Sequence, residues 1–158
     1  MENKLIAIVR IRGKVGLRKG IKGTLNMLKL YNKHTCVIVP NKPTYVGMIQ
    51  KLKDYITWGE IDEKTLLELI QKRGRIIGKK PLTAEYLKQQ AKLTYEQLIP
   101  ELMSCKKQLK EIPGCKPFFK LTPPRGGYEH TGTKQPFSLG GALGYRKEKI
   151  NDFILRML

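Results

Sequence analysis

Acidic residues are scarce in this sequence. Only 13 of its 158 residues are Asp or Glu, against 31 Lys or Arg, so the formal net charge at pH 7 is +18. A net charge of this size says little about the fold, but it favours nucleic acid as a partner or, less often, an anionic membrane surface. The scarcity of carboxylates therefore points to a large anionic partner.

Long apolar runs and paired cysteines are missing as well. No stretch reaches the length of a transmembrane helix, and Lys4 leads straight into a strand, so we expect neither a membrane span nor a signal peptide. The three cysteines, Cys36, Cys105 and Cys115, include no Cys-x-x-Cys pair, which argues against a zinc framework and a secreted disulfide scaffold. We expect an intracellular protein with reduced thiols, no bound metal and no cofactor.

Motifs of nucleotide chemistry are absent too. No Gly-x-x-x-x-Gly-Lys-Ser/Thr pattern is present, which argues against a nucleotide P-loop. Residues 13–16 and 20–23 both match the Gly-x-x-Gly pattern of KH domains, but the order of the surrounding elements is wrong for that fold. The acids Glu60, Asp62 and Glu63 stand where a strand ends and a helix begins, which indicates helix electrostatics rather than a metal site.

The most informative stretch lies near the amino terminus. Residues 5–9 (LIAIV) have the composition of a strand that is buried on both faces. The alternation that follows predicts Arg10 and Arg12 on one side of this strand. Residues 13–23 interleave four glycines with four cations, and such a loop lets backbone N–H groups approach an anion closely. The loop contains no carboxylate or histidine, so it suits the holding of a polyanion rather than its cleavage.

The spacing of hydrophobic residues predicts further helices and strands after the first strand. A helical repeat occupies residues 21–28, a second strand residues 34–39, a second helix begins near Thr44, and residues 56–61 have strand composition. The sequence therefore predicts an α+β fold. Its residues 1–61 form a β-α-β-α-β core with both helices on one face of the sheet, and the remainder, 62–158, is a C-terminal extension.

The extension begins with short helices over residues 62–111. Asp62 is a good N-cap for the first of them, and Thr83 and Thr94 are candidate N-caps for two more. Gly74 follows the last cations of the first helix, which predicts a left-handed glycine at its end.

A basic loop rich in glycine and proline covers residues 112–146, and residues 118–121 (FFKL) predict a short strand within it. A loop of this length is usually functional or disordered, and its tyrosines and cations suit ordering against RNA. Residues 147–158 predict a final helix that docks on the core and ties the loop down. Its apolar face consists of Ile150, Phe153, Ile154 and Met157.

Charge is distributed unevenly along the chain. Residues 1–53 carry twelve Lys or Arg against one acid, net +11, while residues 54–111 carry eleven against nine, net +2. Residues 112–158 carry eight against three, net +5. Two basic ends joined by a nearly balanced segment predict two patches that hold a polyanion.

Taken together, these stretches resemble one known family. The chain is similar to the archaeal form of the universal ribosomal protein family numbered thirty of the large subunit, whose eukaryotic relatives are numbered seven. The matching stretches run nearly end to end: LIAIVRIRG at 5–13, YVGMI at 45–49, DYITWGEI at 54–61, KRGR at 72–75, LTPPRGG at 121–127 and GGALGYR at 140–146. Residues 83–113 match the family pattern poorly, as does the lysine-rich stretch at 78–80.

The resemblance implies a ferredoxin-like core with a three-stranded antiparallel sheet, the first strand central, and a C-terminal subdomain that shorter bacterial members lack. It also implies a structural constituent of the large ribosomal subunit with no catalytic activity. Its expected partners are large-subunit ribosomal RNA and neighbouring large-subunit ribosomal proteins, with no membrane and no small-molecule substrate.

The predicted RNA-contacting residues combine cations with tyrosines and one proline. A solvated basic loop is the alternative for the first group, a lysine in a turn is the alternative for Lys42, and the tyrosines either stack on bases or cover the subdomain. The predicted residues are Arg10, Arg12, Lys14, Arg18, Lys19, Lys22, Lys42, Pro124, Arg125, Tyr128, Lys134, Tyr145 and Arg146.

Two other functions fit parts of the sequence. A small phosphate-handling enzyme on a ferredoxin-like scaffold could use the basic loop to cradle a phosphoryl group, but the loop has no nearby general base and the positive charge extends far beyond one small ligand. A membrane-surface protein would need a strongly basic amphipathic helix with bulky aromatics, and none is evident.

Overall fold

A five-stranded sheet organises the chain. The computed structural model describes residues 5–158, so the expectation about Lys4 lies outside the described residues. The strands are β1 (Leu5–Arg10), β2 (Thr35–Pro40), β3 (Ile56–Glu60), β4 (Phe119–Lys120) and β5 (Gly144–Tyr145), in the order β4-β2-β1-β3-β5. Neighbouring strands are antiparallel except β3 and β5, which are parallel. The fold is thus of the mixed α+β class.

Six α-helices accompany the sheet within the described residues. They are α1 (Lys19–Met27), α2 (Pro43–Lys51), α3 (Glu63–Arg73), α4 (Ala84–Gln90), α5 (Tyr95–Met103) and α6 (Ile150–Leu155). Short 3-10 turns occupy Leu109–Glu111, Phe137–Leu139 and Lys147–Lys149. None of the helices in this part of the chain has both the length and the apolar character needed to cross a membrane.

Strand β1 separates two hydrophobic cores because its side chains alternate between the two faces of the sheet. Ile6 and Ile8 pack in one core with buried residues of α1 and α2. Ala7 and Val9 pack in the other core with buried residues of α3, α5 and α6. Every residue of β1 is buried, so the prediction of a strand covered on both faces is confirmed, and α1 and α2 lie on one face as expected.

The predicted three-stranded sheet is wrong in its number of strands. β4 extends the sheet beyond β2, and β5 extends it beyond β3 in the parallel direction. Each added strand has two residues, and β5 is too short to show the period-two alternation by which a strand is recognised in sequence. Both come from the segment 112–146, where β4 lies within the short strand predicted at 118–121 and β5 within the predicted loop, so the C-terminal extension takes part in the central sheet.

The helix ends in the extension follow the sequence signals in part. Asp62 stands at the N-cap of α3, as predicted, but its side chain makes no capping hydrogen bond. Thr83 accepts a hydrogen bond from the first turn of α4, and Thr94 forms a capping box at α5, as predicted. Gly74 is not left-handed, since its φ is −59°. Glycine is required there because a Cβ would collide with the carbonyl of Ile70 and would lie 3.1 Å from Cβ of Leu82.

The chain ends against the sheet. The predicted helix over 147–158 begins as a 3-10 turn and becomes regular only from Ile150. Its predicted apolar face is buried at all four positions, which confirms the docking: Ile150, Phe153, Ile154 and Met157. Gly59 of β3 permits this approach, since a Cβ there would collide with the carbonyl of Lys147 and would lie 2.9 Å from Cβ of Ile150.

Candidate nucleic-acid interface

Arg10 ends strand β1 and turns inward. Its side chain is 2% exposed and donates hydrogen bonds to four carbonyl oxygens: Arg12 (2.9 Å), Leu30 (2.7 Å), Tyr31 (3.1 Å) and Gly13 (2.8 Å). Burial lowers the pKa of Arg10, although a guanidinium keeps its charge in proteins. Because its donors are used inside the protein, the prediction of phosphate contact is corrected: Arg10 anchors the base of the loop.

Arg12 lies at the surface beside the start of β3. Its guanidinium sits 5.1 Å from the centre of the Tyr55 ring and donates to the carbonyl of Asp54 at 3.2 Å. Strand pairing ends at Arg10, so Arg10 and Arg12 do not share one cationic face as the alternation had predicted. Arg12 keeps donors for an external anion while Tyr55 holds its position.

The remaining cations of the loop are exposed around the start of α1. They are Lys14, Arg18, Lys19 and Lys22. Gly16 takes a left-handed φ of +71°, which turns the loop at its tip. Helix α1 begins at an Arg18 N-cap with no side-chain cap and no acid in its first turn, although acids and hydroxyls are preferred at such positions. Free N–H groups and four cations make this end of α1 attractive to a phosphate.

Lys42 stands at the start of a second helix that, like α1, has a basic N-cap residue and no acid in its first turn. It is the N-cap of α2, followed by Pro43 and by no acid in the first turn. The register pairs Leu5 with Pro40 at one end of the sheet, whereas Arg10 ends β1 at the other. The structure therefore does not bring Lys42 together with the loop at 13–23.

The basic tail, residues 112–158, does reach the end of the sheet at which the loop at 13–23 begins. Tyr128 Oη lies 2.6 Å from His34 Nε2, and the His34 amide donates to the carbonyl of Arg10 at 2.8 Å. Lys33 Nζ lies 5.8 Å from the centre of the Tyr128 ring. Burial and the adjacent Lys33 lower the pKa of His34, and burial with the charge of Glu129 raises the pKa of Tyr128. This arrangement links the two basic ends of the chain.

Arg146 is buried rather than presented to solvent. Its guanidinium pairs with both carboxylate oxygens of Glu129 and is enclosed by the rings of Phe137 and Phe153, 4.7 and 4.2 Å away. It also donates to Thr57 Oγ1 at 2.8 Å. The prediction of RNA contact by Arg146 is corrected for the same reason as that of Arg10, because its donors are satisfied within the fold.

Burial would raise the pKa of Glu129, but its hydrogen bonds with Arg146 and the charges of Arg146 and Arg156 outweigh that effect and lower it. The carboxylate therefore stays ionised and fixes the segment around it.

The other predicted tail residues differ in accessibility. Pro124 is buried, which removes it as a direct contact. Arg125 and Lys134 are exposed. Tyr145 is 47% exposed, donates to Glu60 Oε1 at 3.2 Å and lies beside Trp58, with ring centres 6.3 Å apart. Together with the partly exposed Tyr128, these three tail positions keep surface for an external partner.

Sequence reasoning missed some residues that shape the interface. Lys33 stands over the Tyr128 ring, and Glu129, whose charge opposes the general trend, is the counterion of the buried Arg146. For Glu129, the signal available in the sequence was its position as the one acid within the basic loop at 112–146. No group of three or more His, Cys, Asp or Glu side chains in residues 5–158 is placed to hold a metal ion.

Comparison with known proteins shows the family to which the chain belongs. The sequence profile of the family described as "Ribosomal protein L30p/L7e" matches residues 6–56. A "Large ribosomal subunit protein uL30" of Nanoarchaeum equitans is 54% identical over 98% of this chain and 99% of its own length. The protein of the same name from Methanopyrus kandleri is 46% identical over 94% and 100%, and that of Methanococcus maripaludis strain C5 is 48% identical over 96% and 98%. The chain belongs to the ribosomal protein L30p/L7e family.

Proposed function

We propose that this chain is a structural constituent of the large ribosomal subunit that binds and stabilises large-subunit ribosomal RNA. The observation that carries the proposal is the group of exposed cations around the start of α1. The buried side chain of Arg10 anchors the base of the loop that carries them. The names of its close relatives, which are large ribosomal subunit proteins, support the same conclusion. As a ribosomal constituent it would act in the cytoplasm.

The mechanism is neutralisation of phosphates by a preformed surface. Lys and Arg side chains displace condensed counterions from RNA, and this release supplies salt-dependent affinity without reading sequence. The candidate contacts that keep accessible surface are Arg12, Lys14, Arg18, Lys19, Lys22, Lys42, Arg125, Tyr128, Lys134 and Tyr145. The folded sheet supports this surface, since Arg10 and Arg146 hold the segments that carry it.

The finer description of the architecture belongs to the same proposal. We regard residues 1–61 as a ferredoxin-like RNA-binding core and residues 62–158 as an extension that packs on the opposite face of its sheet. The core of α1, α2 and the central strands supports that division. Neighbouring large-subunit proteins are further proposed partners.

The enzyme alternative is not retained. Relatives that match nearly the full chain are ribosomal proteins. The basic loop itself offers cations and backbone N–H groups, but no carboxylate or histidine that could act as a general base.

The salt dependence of RNA affinity tests the proposal. Alanine at Lys14, Arg18, Lys19 and Lys22 removes four exposed cations from the loop and the start of α1. The slope of log Kd against log salt should flatten by roughly 0.7–0.9 for each phosphate that the variant no longer neutralises. The measurement uses a large-subunit ribosomal RNA transcript and the full chain.

A matched variant distinguishes the loss of a specific binding surface from a general loss of positive charge. Alanine at Lys64, Lys88, Lys92 and Lys106 removes the same charge from exposed positions in the helical segment. This control should keep the wild-type slope. Equal flattening in both variants, or no flattening in the first, would refute the loop as the RNA-binding surface.

A further inference from the structure

The segment over residues 54–111 is close to neutral only on average. Five of its eleven Lys or Arg, and none of its nine acids, lie in residues 72–80. The rest of the segment carries six Lys or Arg against nine acids, a net charge of −3. A strongly basic cluster is therefore embedded in a segment that is otherwise net acidic. We call this cluster, residues 72–80, the basic turn.

The backbone of the basic turn is fixed by the rest of the fold. The chain reverses at Gly78 and Lys79, where φ is +87° and +64°. The Ile76 amide donates to the carbonyl of Lys80 at 2.9 Å, and Ile76 also pairs with Cys115 as an isolated β-bridge. The side chain of Ile76 is buried in the core that contains α3 and α5. The turn is thus held in shape before any partner binds.

The tip of the basic turn is open to solvent. Ile77 is 74% exposed, Lys79 and Lys80 are exposed, and Arg75 is partly exposed. In the part of the chain that the structure describes, no carboxylate pairs with Arg75, Lys79 or Lys80. These three cations therefore keep their donors for an external anion.

The basic turn starts at the end of the sheet that carries the loop at 13–23. Helix α3 begins just after β3, at the end of the sheet opposite Arg10, and runs back to Arg73. Arg73 Nη2 lies 3.5 Å from Thr122 Oγ1. The residue before Thr122 donates its amide to the carbonyl of His34 at 2.9 Å, and His34 donates its own amide to the carbonyl of Arg10. The end of α3 is thus linked to the base of the loop.

The two basic surfaces lie on opposite faces of the sheet. Helix α1 packs on the face that carries Ile6 and Ile8, whereas α3 packs on the face that carries Ala7 and Val9. The sheet and its packed helices separate the basic turn from the loop. Each surface therefore reaches its own stretch of a phosphate backbone.

RNA suits the basic turn better than an acidic protein does. Lysine is depleted in protein–protein interfaces, and the turn exposes a single large apolar side chain, Ile77, rather than an apolar patch. Cations on a fixed backbone neutralise phosphates and release counterions without reading sequence.

We propose that the basic turn is a second RNA-binding surface, which contacts a stretch of large-subunit ribosomal RNA other than the one held by the loop at 13–23. Together the two surfaces join two RNA segments at one end of the protein. This inference rests on the proposed function for the identity of the RNA, but it concerns residues that the proposed function does not use.

The salt dependence of RNA affinity tests the basic turn in the full chain. Three substitutions remove its unpaired cations: Arg75→Ala, Lys79→Ala and Lys80→Ala. The slope of log Kd against log salt, measured with a large-subunit ribosomal RNA transcript, should flatten by roughly 0.7–0.9 for each phosphate that is no longer neutralised. The matched control removes the same charge from exposed positions elsewhere and should keep the wild-type slope: Lys64→Ala, Lys88→Ala and Lys92→Ala. No flattening in the first variant, or equal flattening in both, would overturn the proposal.

Hydroxyl-radical footprinting of the same transcript shows whether the two surfaces hold different RNA. The variant of the basic turn should lose protection at one stretch, and the alanine variant of the exposed loop cations at 14–22 should lose protection at another. Loss of the same stretch in both variants would overturn the proposal.

Photo-crosslinking identifies the class of partner at the tip. A photoreactive phenylalanine analogue replaces Ile77 in the full chain, and purified large subunits that contain it are irradiated. We expect a crosslink to ribosomal RNA, whereas a crosslink to a protein, or none at all, would overturn the proposal.

Failure of this inference can be told from failure of the proposed function. An unmodified chain without salt-dependent affinity for the transcript would refute the proposed function itself. A flattened slope in the loop variant, together with a wild-type slope in the variant of the basic turn, would refute this inference alone.

Discussion

The buried ion pair of Arg146 and Glu129 offers the sharpest test of how the tail is held. Arg146→Met keeps much of the side-chain volume between the two phenylalanine rings but removes the charge. The arginine side chain is 2% exposed and that of Glu129 is 19% exposed, so the variant leaves a poorly solvated carboxylate without its main partner. Removing one member of a buried pair typically costs about 3–5 kcal/mol in the free energy of unfolding.

The lower end of that range is expected here. Arg156 Nη2 lies 3.4 Å from Glu129 Oε1 and retains part of the attraction. A loss of about 3 kcal/mol in a chain of this size corresponds to a fall in Tm of roughly 6–12 °C. Urea denaturation at pH 7, followed by circular dichroism, measures the difference directly.

Neutralising Glu129 as well distinguishes the cost of the unpaired charge from the cost of altered packing. The double variant Arg146→Met with Glu129→Gln should recover at least about half of the lost stability, because no unpaired charge remains. A single variant that loses less than about 1 kcal/mol, or a double variant no more stable than the single one, would refute the reasoning.

Acid titration gives an independent readout of the same pair. The pKa of Glu129 is lowered in the folded state, so its stabilisation is present above the unfolded pKa and is lost as the pH falls through the folded value. Arg146→Met should reduce this acid-induced loss, since the hydrogen bonds that lower the pKa are gone.

Three further predictions concern other parts of the fold. Arg10→Lys should lower the free energy of unfolding by about 2–3 kcal/mol in urea, because buried carbonyls lose their donors; an unchanged midpoint would contradict the anchoring role. Gly59→Ala should destabilise by about 1–3 kcal/mol against Ile150, while Gly13→Ala, with open space around it, serves as the control; equal effects would refute the packing argument. Burial lowers the pKa of His34, so stability should decline as the pH falls below about 6.5, and His34→Asn should remove that decline; a profile identical to that of the wild type would contradict it.

The main elements of the core could be predicted because their signals are strong and local. The apolar run of β1, the helical repeats of α1 and α2, and the docking face of α6 each determine an element from a few neighbouring residues. The short strand predicted at 118–121 contains β4, but β5 could not be predicted, because two residues carry no periodicity. The pairing of both strands depends on residues distant in sequence, which a local pattern does not show.

The candidate site was harder to predict than the fold. A basic residue is ordinarily assigned to the surface, yet Arg10 and Arg146 are buried because carbonyls and Glu129 satisfy their donors. Which cation meets such partners depends on tertiary packing, which a single sequence does not display. The exposed cations at 14–22 were predictable because glycine-rich loops leave them at the surface.

The central claim is that the chain is a stoichiometric part of the large ribosomal subunit. Quantitative mass spectrometry of large subunits, purified from cells that make this protein and washed at moderate salt, measures its copy number directly. We predict about one copy per particle, retained in proportion to the ribosomal RNA. Its absence from the particles, or recovery mainly in the free protein fraction, would contradict the account.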